Sequence, residues 1–427
     1  MGLREKNIRN YYDESAPALP PRPALAGDLD VDVAVVGAGI AGCSAALHLA
    51  ERGYRVALLE SEHVGFGASG RSGAQLIFGY ACGQEKIDKL VGHEVGRSLW
   101  QVTADGLALV RERVARHAID CELSWGHLSV AVKERQRAEL AAECRSLAED
   151  YDYRSVRFVE RDEVTSLLAT RRYCGALYDA NSGHCHPLKF VRGLAQAAEQ
   201  AGAQLFESTP VQRLERGEPA TLHTPQGRLR ARYVALAGNT YLEGLVPELQ
   251  RKIMAVGTYI VATESLGRER AEALIRDNLA VADVNFVLDY FRLSKDYRLL
   301  FGGRVSYSGL DPLGTERATR ARMLRVFPQL TDVAIDYAWG GFVDITVNRA
   351  PHFGRIGPNL YFLQGFSGHG MALAGIAGKL LAEAVAGEAE RFDLFSRIPH
   401  MDFPGGLALR RPALVLGMLW YRLRDLL

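Results

Sequence analysis

Three glycine-rich stretches carry the residues best suited to chemistry. The first is Gly37-Ala38-Gly39-Ile40-Ala41-Gly42, which follows the apolar run Val31 to Val36 and opens a helix-like segment, Cys43 to Arg52. An acidic residue, Glu60, stands about twenty positions further on, at the end of a second apolar run, Arg55 to Leu59. Strand, glycine turn, helix, strand and acid in that order suit a dinucleotide. Gly37 permits the tight turn, Gly39 lets backbone approach a pyrophosphate, Gly42 allows close helix packing, and the helix N-terminus favours the anion. Glu60 would accept hydrogen bonds from ribose hydroxyls, and an acid there disfavours the 2′-phosphate of NADP.

The second stretch runs from Val64 to Gln75 and includes Gly67, Ala68, Ser69, Arg71, Ser72, Gly73 and Ala74. It is too long for a simple turn and can wrap an extended cofactor. Its amides, the Ser69 hydroxyl and the Arg71 guanidinium suit the second phosphate and ribityl chain of FAD better than a nicotinamide nucleotide. The third is Gly365-Phe366-Ser367-Gly368-His369-Gly370-Met371, again between a strand and a helix. A helix N-terminus there would stabilise negative charge on a reduced flavin, with His369 read as a backbone-orienting residue.

These motifs need elements to position them. Helical patterning covers Thr103 to His117, Glu134 to Glu149, Leu188 to Ala201, Arg317 to Phe327 and Ala372 to Ala386, and strands are dense between Ala255 and Trp339. The predicted fold class is α/β in the α+β two-domain sense: a Rossmann-like FAD-binding domain interleaved with an antiparallel β-sheet substrate domain. Residues 1–90, 165–245 and 350–407 are assigned to the first, 91–164 and 246–349 to the second, and 408–427 to a basic amphipathic C-terminal helix. Met1 to Pro23, with Tyr11-Tyr12 and a proline-rich run, reads as an extended arm.

Composition narrows the function. Lys+Arg 51 against Asp+Glu 50 gives net charge +1, which provides no field for nucleic acid. The six cysteines form no CxxC, so neither a disulfide framework nor a zinc cluster is expected, and a cytoplasmic setting fits. His184-Cys185-His186 lacks convincing third and fourth ligands, so no metal is expected. The apolar run Ala413 to Tyr421 falls short of the ~20 residues of a span. Its flanking Arg410, Arg411, Arg422 and Arg424 have the composition of a membrane-surface helix, although packing on its own protein is the preferred reading.

Taken together, the GxGxxG with Glu60, the GASGRSGAQ stretch at 67–75 and the GFSGHG run at 365–370 resemble the D-amino-acid oxidase/sarcosine oxidase family of FAD-dependent amine oxidoreductases. Within it the Tyr-rich proline leader, the run from Trp339 to Arg355 and the basic tail look most like the branch that oxidises γ-glutamylputrescine. The resemblance implies FAD contacts from Gly37, Gly39, Gly42, Glu60, Ser61, Ser69 and Arg71, with the Val211 backbone at adenine; Gly238 completes the expected cofactor shell. Monomeric sarcosine oxidases attach flavin to a cysteine in the segment matching Phe342 to Phe353. None is present here, so FAD is expected to be noncovalent. Those enzymes also carry a lysine just after the GFSGHG-like run, where this chain has Ala372.

The activity so implied is transfer of a hydride equivalent from an amine-bearing carbon to flavin, with oxygen as acceptor and a small-molecule amine as substrate. That task is mainly orientation and electrostatics. Trp339, Tyr290, Phe291 and Tyr259 are candidate aromatic walls. His352 could tune or accept a proton, Asp344 could steer a cationic amine or pair with Arg349 or Arg355, and Arg304 or Arg292 could meet a substrate carboxylate. Two other readings stand beside this one: an amine or amino-acid dehydrogenase using a quinone or protein acceptor, and a noncatalytic FAD-binding partner protein.

Overall fold

The computed structural model describes residues 9–242, 244–285, 287–306 and 314–404, with the side chains of 304–306 excluded. The C-terminal segment 408–427 and its expected amphipathic helix lie outside the described residues.

Among these residues two sheets form, of eight and nine strands. In the first, strands Leu29–Val36, Val56–Leu59, Gln204–Phe206, Arg228–Leu236 and Leu360–Gln364 run parallel, and His352–Ile356 closes one edge antiparallel. Its central strands are buried on both faces and therefore read as continuous apolar runs rather than alternating ones. Leu360–Gln364 pairs parallel with Arg228–Leu236 from more than a hundred residues downstream.

Small residues set how closely the helices cover this sheet. Gly370–Val385 crosses Ile40–Glu51 so tightly that a side chain at Gly378 would place its first carbon 2.5 Å from the Ala41 carbonyl oxygen. Ser44 Oγ donates to the Gly375 carbonyl at 2.6 Å across the same contact. Both helices are almost entirely buried.

The second sheet pairs Ile253–Thr263 with Ile335–Thr346 and with Leu299–Ser306, and continues through Tyr290–Leu293, Ala280–Asp283, Ser124–Ala131 and Gly175–His184. Two departures from the sequence reading follow. Gly175–His184, placed by pattern in the first domain with 165–245, pairs antiparallel with Ser124–Ala131 in the second sheet. Polar residues broke its alternation, because Asp179 is buried there by donors from Tyr153 Oη, Ser155 Oγ and the Ser182 amide. Gln75–Leu76, within 1–90, also pairs into the second sheet.

The expected extended arm is also corrected. Tyr11–Ser15 is a short helix capped by Asn10, whose side chain accepts from the Asp13 amide, and both tyrosines are buried. Within the described part of the arm, Tyr11 and Tyr12 belong to the core.

Candidate active site

A cavity of about 710 Å³ opens at the carboxyl ends of the parallel strands, where the connections after Val36, Leu59 and Leu236 converge. Sequence makes the first of these turns unusually close. Gly37 has φ +102°, and a side-chain carbon there would sit 2.8 Å from the Ala237 carbonyl oxygen; one at Gly42 would fall 1.9 Å from the Gly37 carbonyl oxygen. Only glycine fits either place, and the resulting cradle leaves backbone facing the cavity.

The second glycine stretch is tied onto that turn. Ser69 Oγ accepts from the Ile40 amide at 3.0 Å, and Glu60 Oε2 accepts from the Ala38 amide at 2.7 Å. Glu60 Oε1 takes further bonds from Ser61 Oγ and the Glu62 amide. Burial raises the Glu60 pKa, with these donors opposing the shift. The chain has thus placed an acid, a helix N-terminus and bare backbone around one space.

Most of the expected cofactor residues line it. Gly37, Gly39, Ile40 and Ala41 do so from the first turn, Glu60 and Ser61 from the end of the next strand, and Gly67, Ala68, Ser69 and Ser72 from the second stretch. Val211, Gly238, Gly368, Gly370 and Met371 also border the cavity. Ala38, Gly42, Gly73, Ala74 and Gly365 do not border it; they shape the turns behind it. Arg71 differs from expectation: it is not a lining residue, and its side chain is buried with the guanidinium 4.8 Å over the ring of Phe66, which is one. His369 is the N-cap residue of Gly370–Val385, and burial followed by nearby Arg349 and His127 lowers its pKa to about 4, so it is neutral.

Asp344 borders the cavity, but its carboxylate points its bonding capacity at the backbone. It accepts from the Gly365 amide and, at 3.2 Å, from the Phe366 amide, while its own carbonyl accepts from the Ser367 amide at 2.9 Å. Burial pushes its pKa up to about 6 against those bonds. It pairs with neither Arg349 nor Arg355; Arg355 pairs with Asp393. Asp344 thus braces the third glycine stretch.

The remaining substrate-side expectations are redrawn. His352 lies outside the cavity lining, its ring 4.3 Å from that of His400, its Nδ1 accepting from Gln364 Nε2 at 2.9 Å. Burial and the neighbouring His400 lower its pKa to about 3, so the ring is uncharged near neutrality. Trp339 is buried and donates from Nε1 to the Arg71 carbonyl at 2.9 Å. Tyr290 packs beneath Gly73 and Gly302, where any side-chain carbon would collide with its ring. Phe291 stacks in the core on Phe301, and Tyr259 packs across Gly340. Arg292 is buried and spends donors on the carbonyls of Gly73 and Leu293 and on Tyr12 Oη, so it does not await a substrate carboxylate. The Arg304 backbone pairs with Tyr259, but its side chain lies outside the described residues.

Sequence reasoning missed Asn239, Tyr241, Thr209 and Pro210, which also line the cavity. One signal was available. Ala237-Gly238-Asn239 follows a parallel strand as Gly37 follows Leu29–Val36, and ligands gather at such strand ends. Among the described residues no group of three or more His, Cys, Asp or Glu could hold a metal ion. His184 Nε2 instead meets the Asn278 carbonyl, and His186 caps Pro187–Gln200.

The family model for FAD dependent oxidoreductases matches residues 32–384. Gamma-glutamylputrescine oxidoreductase of Escherichia coli (strain K12) is 42% identical over 98% of this chain and 99% of its own length. A probable oxidoreductase OrdL of Haemophilus influenzae is 38% identical over 99% of this chain and 98% of its own. Among solved structures, glycine oxidase from Geobacillus kaustophilus superposes with a TM-score of 0.71 at 22% identity, covering 84% of this chain and 95% of that one.

Proposed function

Because the chain belongs to the DAO family of FAD-dependent oxidoreductases, we propose that it oxidises the terminal primary amine of γ-glutamylputrescine to an aldehyde, with oxygen as electron acceptor. Amine, oxygen and water give aldehyde, ammonia and hydrogen peroxide. The observation that carries the substrate is the near full-length similarity to the Escherichia coli enzyme.

Bound FAD supplies the acceptor for a hydride equivalent leaving the amine-bearing carbon. The fit of this chain to that group rests on the cradle at Gly37 and Gly42, which any larger residue would fill. Gly37 and Gly39 would offer backbone to the pyrophosphate, Glu60 would hold the ribose and Val211 would meet adenine. Gly368, Gly370 and Met371 would set the helix N-terminus near the polar edge of the flavin. Phe342 to Phe353 contains no cysteine, so the attachment is noncovalent. With Arg292 committed elsewhere, Arg304 is the candidate for the glutamyl carboxylate.

A second reading, a dehydrogenase that passes electrons to a different acceptor, is favoured by one feature. Ala372, where sarcosine oxidases carry lysine, is apolar and buried, so it provides no fixed cation to assist oxygen reduction. Anaerobic mixing of the yellow holoprotein with γ-glutamylputrescine in a stopped-flow spectrometer, followed by air, separates these readings. Bleaching with rapid recovery supports the oxidase. Bleaching that air does not reverse moves the assignment to a dehydrogenase, and no bleaching removes this substrate.

A further inference from the structure

Three successive carbonyls in the second glycine stretch are each held by one side chain, and the three side chains come from distant parts of the sequence. Trp339 Nε1 donates to the Arg71 carbonyl at 2.9 Å, Tyr12 Oη to the Ser72 carbonyl at 3.0 Å, and Arg292 Nε to the Gly73 carbonyl at 3.2 Å. The donors are themselves joined. Arg292 Nη2 donates to Tyr12 Oη at 3.0 Å, and the Tyr12 ring stands edge-on to Trp339 at 5.3 Å and to His186 at 5.0 Å. Tyr12 is fully buried, and Trp339 and Arg292 are each 3% exposed.

One residue of the supported segment reaches the cavity. Ser72 borders it, and Ser72 Oγ lies 3.2 Å from Sδ of Met371, which borders it from the first turn of Gly370–Val385. In a trans peptide the N–H points opposite the C=O. The Ser72 amide donates to the Ala68 carbonyl at 3.1 Å and the Ala74 amide to Ser72 Oγ at 3.3 Å, so it is the Gly73 amide, in the peptide whose carbonyl Tyr12 holds, whose direction this grip sets. A glycine-rich stretch would otherwise retain wide backbone freedom.

Tyr12 reaches this place from the short helix Tyr11–Ser15, which belongs to neither sheet. That helix is itself moored, with Tyr11 Oη donating to Asp296 Oδ1 at 2.6 Å. Burial raises the Tyr12 pKa, so the hydroxyl keeps its proton and remains a donor, and a guanidinium donating to the same oxygen strengthens that donation.

We propose that Tyr12 is a positioning residue of the FAD site: its hydroxyl, joined to Arg292 and set beside Trp339, orients the Ser72–Gly73 peptide plane toward the bound cofactor. The N-terminal segment is thus part of the active-site frame. This inference rests on family membership and not on the identity of the amine.

The test is Tyr12→Phe, which keeps the ring contacts with Trp339 and His186 and removes the hydroxyl that donates to Ser72 and accepts from Arg292. Three readouts need no amine: the visible absorption of the bound flavin, FAD affinity of the apoprotein by fluorescence titration, and the reduction potential by chemical titration of the holoprotein. The expected result is a shifted flavin spectrum, a shifted potential and FAD affinity at least fivefold weaker, with thermal unfolding of the apoprotein close to that of the parent. Trp339→Phe, which removes the donor to Arg71, should shift the same spectrum. Unchanged spectrum, potential and affinity in Tyr12→Phe overturn the proposal. So does equal destabilisation of apoprotein and holoprotein with FAD affinity intact, because that is what a purely structural tyrosine would give. Failure of γ-glutamylputrescine to bleach the flavin would leave all three readouts legible.

Discussion

Asp344 and Gly365 meet where a strand of the second sheet touches the end of a strand of the first, the Asp344 carboxylate accepting from the Gly365 amide. One side chain thereby joins the two sheets at the mouth of the cavity.

That carboxyl should leave a signature in the pH dependence of stability. Its pKa is pushed up from 3.8 to about 6 by burial. A raised carboxyl favours the folded state fully below its unfolded value and loses that contribution as pH rises through the folded one, a change on the order of 2–3 kcal/mol. Asparagine does not titrate. Wild type should therefore lose stability relative to Asp344→Asn as pH rises from about 4 to about 6, with the difference constant above about 7. Urea melts of both proteins across that range provide the check, and a difference that stays flat would refute the assignment.

His352 and His400 should act in the opposite sense. Their pKa values are lowered to about 3 and about 4, mainly by burial. Each contributes stability present above the unfolded value near 6.5 and lost as pH falls toward the folded one, at up to about 1.4 kcal/mol per pH unit. His352→Asn should make acid unfolding less steep between about pH 6 and pH 4. It should also leave kcat within about threefold and its pH profile unmoved, since the ring lies off the cavity; a lost ionisation in that profile would return His352 to catalysis.

Glu60→Gln should weaken FAD binding by about tenfold or more while the fold survives. The amide can accept from Ala38, but it has lost the charge and one of the two acceptor oxygens that serve Ser61, Glu62 and a ribose. Calorimetric titration of the apoprotein with FAD reads the change directly. Wild-type affinity in the variant would mean that the ribose is held elsewhere.

Two glycines one turn apart on the same helix should respond with opposite signs. A side-chain carbon at Gly375 meets nothing within 4 Å, whereas one at Gly378 meets the Ala41 carbonyl oxygen and the Ala45 nitrogen at 2.5 and 2.6 Å. Gly375→Ala should stabilise by up to about 1 kcal/mol through helix propensity. Gly378→Ala should lower the melting temperature by forcing the helices apart. Like signs in the two variants would contradict the packing described here.

The parallel strands, the three glycine stretches and their meeting point were legible because each depends on local constraints: a turn that only glycine can make, an apolar run, an acid at a set distance. Substrate-side roles were not legible. Trp339, Tyr290 and Arg292 have the residue types of a binding wall, and sequence alone cannot tell a side chain facing a ligand from one satisfying a buried carbonyl. Tyr12 was missed for a related reason, since a proline-rich leader reads as solvent-exposed until its hydrogen-bond partners sixty and more residues away are known. Asp179 hid its strand by the same means, being a polar residue buried with enough donors to be tolerated.

The cavity draws its lining from residues as far apart in the sequence as Val36 and Ala374. During synthesis, the nucleotide turn at Gly37 emerges long before Leu360–Gln364 and Gly370–Val385 exist to complete the enclosure around it. The enclosure around a flavin is therefore complete only once those late elements have been made.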